Sequence, residues 1–253
     1  MPFSLEQFGE VLRARNPARK PYVVIGGQAV NYWATRYLPQ EAELSAWQPF
    51  TSKDIDFRGN RDDVLRMAAQ LQQPAIFPHA KMMTAFAGAI VWPIGEHRSR
   101  MEFVRQVPGA TAKEVEKLAV EHDYLGQRIR IIDPVSLLAC KLILALTVDQ
   151  TNRRDADHAR ILLLCTRAFL RETLRGVEAG ELPARGWLGV TERLLKVAEA
   201  KIGGRATREL KIQWPQALPE PEIAASKNPL LVRFREKRLA QWRGKIQQPR
   251  RRK

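Results

Sequence analysis

Apolar and polar positions alternate along this chain with two different periods, and the change between them falls near Pro134. Before it, short apolar runs are separated by turn residues, the pattern of strands interleaved with helices. Leu5, Phe8, Val11 and Leu12 recur at helical spacing behind Ser4, which predicts a capped helix over 5–15. Tyr22 to Ile25 reads as a buried strand, and Gly26-Gly27 as a tight turn into a helix over 29–37. After a loop over 39–49, residues 53–57 form a second strand and 61–72 a helix with Val64, Leu65, Ala68 and Leu71 on one face. Strands over 89–94 and 100–107 pair as a hairpin turning at Gly95-Glu96-His97, and 127–132 is a further strand closed by Asp133-Pro134.

Beyond Pro134 the period becomes helical. Leu137, Leu138, Lys141, Leu142 and Ala145 begin one helix, 156–170 form another, and the region to about Gly204 reads as helical throughout. Pro215, Pro219, Pro221 and Pro229 mark 214–229 as a linker, followed by a basic amphipathic helix over 230–246 with Phe234, Leu239, Trp242 and Ile246 inward. The layout is α+β: a small α/β domain over 1–134, a helical domain over 135–213, and a proline-rich linker with a basic C-terminal helix or tail over 214–253.

Composition narrows the classes. At 45% hydrophobic and 27% charged residues the chain has the make-up of a soluble protein. No apolar run approaches the roughly 20 residues that span a bilayer, and the first ten residues lack a signal-peptide layout. Cys140 and Cys165 sit in apolar, helix-like runs, too few and too scattered for a disulfide framework or a zinc site, which fits a reduced cytoplasm. The histidines are scattered without metal-ligand spacing, and His122 and His158 are expected on surfaces. The charge is +15, and residues 233–253 alone carry ten basic residues against one acid. A solvated tail explains such a run as simply as nucleic-acid binding does. On the second reading Arg235, Lys237, Arg238, Arg243, Arg250, Arg251 and Arg252 would meet phosphates, with Trp242 free to stack on a base.

The chemistry lies earlier. In Phe50-Thr51-Ser52-Lys53-Asp54-Ile55-Asp56-Phe57 two aspartates stand two apart on the expected strand, so their side chains share one face. Carboxylates that close repel unless a proton or cation lies between them, and hard oxygen donors suit magnesium carrying a nucleotide phosphate. An Asp-x-Asp alone is most often a surface turn; a third acid on a later strand makes the set more specific, and Glu102 in Arg100-Met101-Glu102-Phe103-Val104 is that candidate.

The ordered set Gly26-Gly27, Asp54-Ile55-Asp56 and Glu102 resembles the nucleotidyltransferase superfamily that includes DNA polymerase beta. Within it, Ile131-Ile132-Asp133-Pro134 leading to Lys141, followed by Arg153-Arg154-Asp155-Ala156-Asp157-His158, is similar to the AbiEii-like toxins of toxin–antitoxin and abortive-infection systems. The resemblance covers about residues 20 to 165. It implies a mixed-sheet catalytic domain and two Mg²⁺ ions bound with an NTP by Asp54, Asp56 and Glu102. It also implies nucleotide contacts from Gly26, Gly27, Gln28, Ser52 and Lys141, and from Asp155 or Asp157 as the later acid, with Asp157 the one assigned. Gln28 stands where many members carry a Ser or Thr. The activity implied is NMP transfer from an NTP to an acceptor hydroxyl, with RNA, in particular the 3′ end of tRNA, as the acceptor, and a small antitoxin protein as a partner. Two other readings remain open: an inactive nucleic-acid-binding module on the same fold, and a transferase acting on a small molecule or protein.

Overall fold

The computed structural model describes residues 2–79, 81–82 and 84–247. The chain divides into two compact units, Met1–Leu38 with Leu44–Cys140, and Pro39–Glu43 with Lys141–Lys253. The class is α+β. The first unit is built on one mixed sheet of seven strands: β1 (Val23–Ile25), β2 (Ile55–Arg58), β3 (Ala75–Ile76), β4 (Phe86–Ile94), β5 (His97–Val104), β6 (Val120–Tyr124) and β7 (Gln127–Ile131). Their order is β3-β4-β5-β2-β1-β7-β6. β1 is central, antiparallel to β2 and parallel to β7, and β2 runs parallel to β5. All three residues of β1 are buried, as an apolar run without alternation requires.

On β2 and β5 the residues alternate. Ile55, Phe57, Met101 and Phe103 are buried, and the Tyr22, Phe57 and Phe103 rings lie 5.4–6.3 Å apart on that side. Asp56 and Glu102 take the other, partly open side of the same two strands. The β4–β5 hairpin closes through Gly95 and Glu96, with Ile94 opposite His97 and Gly95 at φ +59°. The turn is therefore one residue shorter than expected, and His97 begins the strand.

Three helices accompany the sheet. α1 (Gly26–Tyr37) starts at the glycine pair itself, and Trp33 Nε1 donates to the Ile132 carbonyl at 2.9 Å. α2 (Arg61–Leu71) is capped by Asn60, whose side chain accepts from the amides of Asp62 and Asp63. It buries Val64, Met67 and Ala68, whereas Leu65, expected on that face, is 47% exposed. α3 (Ala112–Leu118) and β6 had no sequence expectation. The expected helix over 5–15 is instead two 3₁₀ turns, Leu5–Phe8 and Val11–Arg13. Gly9 separates them; its carbonyl accepts from Gln127 Nε2 at 2.8 Å, while the Gly9 and Arg13 amides bond three residues back, to Glu6 and Glu10. The apolar residues picked out by spacing, Leu5, Phe8, Val11 and Leu12, are buried all the same.

α4 (Pro134–Thr147) begins where Asp133 accepts from the Ser136 amide at 3.1 Å, with Pro134 at the first helical position. The units divide within it, after Cys140. The second unit continues with α5 (Asp155–Glu178), α6 (Ala184–Glu199), α7 (Lys201–Glu209), α8 (Glu220–Ala225), α9 (Pro229–Arg233), a π-helical turn over Phe234–Leu239, and α10 (Ala240–Gln247). Glu41 is buried in this unit between Arg167 and Arg171. The proline-rich stretch is not an extended linker: Trp214–Ala217 is a 3₁₀ turn, α8 follows, and Trp214, Leu218 and Ile223 are buried. Proline at the first turn of a helix is tolerated, so four prolines here punctuate short helices. Among the described residues no helix is long and apolar enough to cross a membrane, and Cys140 and Cys165 are buried and form no disulfide.

Candidate active site

Strand register brings the expected carboxylates together. Asp56 on β2 is directly opposite Glu102 on β5 and Ile25 at the end of β1. Asp54 precedes β2 by one residue, so only one of the two aspartates is on the strand proper. It remains close enough to Glu102 for its charge to act there. Burial is the largest influence on Glu102 and raises its pKa above the usual carboxylate range; Asp54 adds to the rise, while Arg100 opposes it. Arg100, two positions back on the same face of β5, holds Glu102 Oε1 at 3.2 Å. Ser52 Oγ donates to Asp54 Oδ1 at 3.4 Å.

Gly26 is the residue the arrangement depends on. Its φ is +67°, and a Cβ at that position would stand 1.8 Å from Asp56 Oδ2 and 2.7 Å from its Cγ. Asp56 therefore lies against the first residue of a 12-residue helix, where unpaired backbone N–H groups and the helix dipole favour negative charge. No other residue type combines that backbone angle with that clearance.

The donor set of Asp54, Asp56 and Glu102 is all carboxylate oxygen, chemistry that suits a hard divalent cation. Of these, Asp56 sits against the Gly26 cradle, and Asp54 and Glu102 supply further oxygen donors near one another. As the side chains stand, no group of three or more His, Cys, Asp or Glu among the described residues closes around a metal position.

Other expected site residues are placed differently. Gln28 is fully buried; its Nε2 donates to the Phe3 carbonyl at 3.0 Å and its Oε1 accepts from Asn31, so it anchors the N-terminal segment and does not face a phosphate. Ser52 is tied to the same segment by backbone bonds to Phe3. In the second unit Lys141 is buried, its Nζ 2.8 Å from Asp155 Oδ1, and Arg153 reaches the other oxygen at 2.6 Å. Burial pushes the Asp155 carboxyl up, but Lys141 and Arg153 outweigh it and hold the group below the usual range. Asp155, not Asp157, is thus the buried acid; Asp157 is half exposed and pairs with Arg154 and Arg160. His158, expected on a surface, is half-buried, and burial, reinforced by Lys141, lowers its pKa to about 3.

The C-terminal expectations are corrected most. Trp242 is 1% exposed and cannot stack on a base. Arg238 is bound by both Glu192 and Glu199, Arg243 by Glu220, and Arg235 donates to the Ile223 and Ala224 carbonyls. Lys237 is exposed, and Arg250, Arg251 and Arg252 lie outside the described residues. Spacing did place Phe234 and Leu239 inward. The residue that sequence reasoning passed over is Arg100; its position two before Glu102 on a strand is the signal that could have found it.

No protein-family model matches the chain. No curated protein matches it either. Among solved structures, one to which it is similar is described as an antigenic nucleotidyltransferase-like protein from Paracoccidioides brasiliensis, at 10% identity and a TM-score of 0.45, over 64% of this chain and 78% of that one.

Proposed function

We propose that the chain is a magnesium-dependent nucleotidyltransferase of the superfamily that includes DNA polymerase beta, moving an NMP from an NTP to an acceptor hydroxyl with release of pyrophosphate. The observation that carries this reading is the packing of Asp56 on Gly26 with Glu102 directly opposite on the adjacent strand. It puts carboxylates next to a helix start, the pairing of metal ligands with an anion site that a triphosphate requires. Bound magnesium would supply neutralisation of charge on the phosphates. Asp54 and Asp56 would hold it, and the backbone at Gly26-Gly27 would admit the triphosphate closely. Glu102, its proton affinity raised by burial, is suited to take the proton of the attacking hydroxyl. RNA is the acceptor favoured by a net charge of +15. An AbiEii-like toxin role, with a small antitoxin as partner, is the narrower form of the proposal.

The test is label transfer from each α-labelled NTP, with Mg²⁺ and total cellular RNA, for wild type and Asp56→Ala. Label on a discrete RNA with wild type alone supports the reading; no transfer by wild type to RNA, protein or small molecules rejects it. The burial of Gln28 away from any phosphate favours a second reading, a nucleic-acid-binding module without chemistry. That module would retain RNA equally with Asp54→Ala and Asp56→Ala and would consume no NTP.

A further inference from the structure

The carboxylate face of the sheet has two flanks. On the β1 side lies the start of α1, with Gly26 against Asp56. On the β5 side lie Arg98 and Arg100, alternate residues of that strand and both exposed. Lys53, also exposed, precedes Asp54 on the neighbouring segment, which is tied to β5 where its carbonyl accepts from Ser99 Oγ at 2.9 Å. Strand periodicity puts Arg98, Arg100 and Glu102 on one side of the sheet, with Asp56 on the next rung. Among the described residues neither Lys53 nor Arg98 makes an ion pair, and the ion pair of Arg100 is with Glu102, with more than half of the arginine side chain exposed.

We infer that Lys53, Arg98 and Arg100 form the phosphodiester-binding track for a single-stranded RNA acceptor, leading its end to the carboxylates on the flank opposite the nucleotide. The assignment rests on the nucleotidyl-transfer reading of Asp54, Asp56 and Glu102 for its geometry, but not for its test. Three cations at the edge of an acidic cluster would be drawn into it if they served only to neutralise it; Arg98 and Lys53 are not. Their spacing along a strand end matches a linear polyanion better than a point charge, and guanidinium groups take phosphate oxygens in a bidentate fork. Arg100 has a second part in this picture. A backbone phosphate that takes Arg100 releases Glu102 Oε1 from its 3.2 Å ion pair, so acceptor binding would free the third carboxylate. The C-terminal helix, by contrast, has Arg238 and Arg243 committed to its own glutamates.

The test needs neither nucleotide nor metal. Binding of a fluorescein-labelled single-stranded RNA is measured by anisotropy over a range of salt for full-length wild type, Arg98→Gln/Arg100→Gln, Arg98→Lys/Arg100→Lys, and Lys53→Gln. The slope of log K against log salt should fall by about 0.7 for each phosphate that is no longer neutralised, and the lysine pair should retain most of it. Circular dichroism establishes that each variant is folded. An unchanged slope in the glutamine variants overturns the inference, as does a wild type that fails to bind the RNA. A reduced slope together with absent label transfer by wild type upholds the track and rejects the transferase reading. Label transfer with an unchanged slope does the reverse.

Discussion

Replacing Gly26 with alanine tests the site's construction directly. Two separable penalties apply. The left-handed backbone at φ +67° is disfavoured for alanine by about 1–2 kcal/mol. The added Cβ would also fall 1.8 Å from Asp56 Oδ2 and 2.7 Å from Cγ, so the carboxylate must move, an overpacking effect of about 1–3 kcal/mol. Gly126 supplies the control: its φ is +72°, yet nothing lies within 4 Å of its Cβ position, so Gly126→Ala should show the backbone part alone. Chemical denaturation should give a loss of about 2–5 kcal/mol for Gly26→Ala and about 1–2 kcal/mol for Gly126→Ala. In an Asp56→Ala background the closest two approaches disappear and only the Cβ, at 2.9 Å, remains, so the effect of Gly26→Ala should shrink. A coupling of at least about 1 kcal/mol is expected; additivity within about 0.5 kcal/mol would refute the close packing of the two residues. In the transfer assay, displacement of Asp56 by about 1 Å should lower the rate on the order of 100-fold, while Gly126→Ala leaves it unchanged.

Asp155→Ala leaves Lys141 charged and buried, so stability should fall by about 3–5 kcal/mol in denaturant titrations. Because the Asp155 carboxyl is held below its unfolded value, its contribution is fully present above about pH 4 and lost as pH falls through the lower folded value; a variant whose deficit persists unchanged at pH 2 contradicts this. Glu102 has the opposite sign: its raised folded pKa means that ionisation disfavours the fold as pH rises above about 4.3. Glu102→Gln should therefore be as stable as wild type at pH 7 or more so, while transfer activity falls; clear destabilisation at pH 7 would count against the burial argument. Trp242→Ala should lower stability by about 3–5 kcal/mol without changing RNA affinity of the folded protein, and a selective loss of RNA affinity would restore the stacking role excluded by its burial.

The parts of the fold that sequence revealed are those where one residue type answers one local requirement. Val23 to Ile25 had to be a buried strand because no polar residue interrupts it, and Gly26-Gly27 had to be a turn because a glycine pair follows. Asp56 and Glu102 were legible as acids sharing one face of the sheet because each is a carboxylate flanked by buried apolar residues on a strand. What stayed hidden depended on partners distant in sequence. Gly9, between the two N-terminal 3₁₀ turns, accepts from Gln127, and Gln28 is claimed by the Phe3 carbonyl. β6 escaped notice because Glu121, His122 and Asp123 give an edge strand the composition of a loop, which is how charged residues protect such an edge.

Charge was the least legible property of all, and this is why sequence alone directs attention to the C-terminus for an acceptor site. A count of basic residues points to 233–253, but a count carries no information about which cations are already satisfied. The helices bearing Arg238, Arg243 and Lys245 bring them against Glu192, Glu199 and Glu220, carboxylates 20 or more residues away that no local window joins to them. Such pairs orient helices and leave little field outside. The exposed cations at the sheet, Lys53 and Arg98 outside any ion pair and Arg100 paired with Glu102, lie in a stretch where acids offset them in any running total. On the proposed reading the acids there are the site, so a local balance near neutrality would conceal two opposed functions side by side: carboxylates to hold a cation and cations to hold a phosphate strand. A polyanion and a metal ion can reach adjacent positions only if neither sign dominates, and the proposal asks that of the mixed charge on the β2–β5 face.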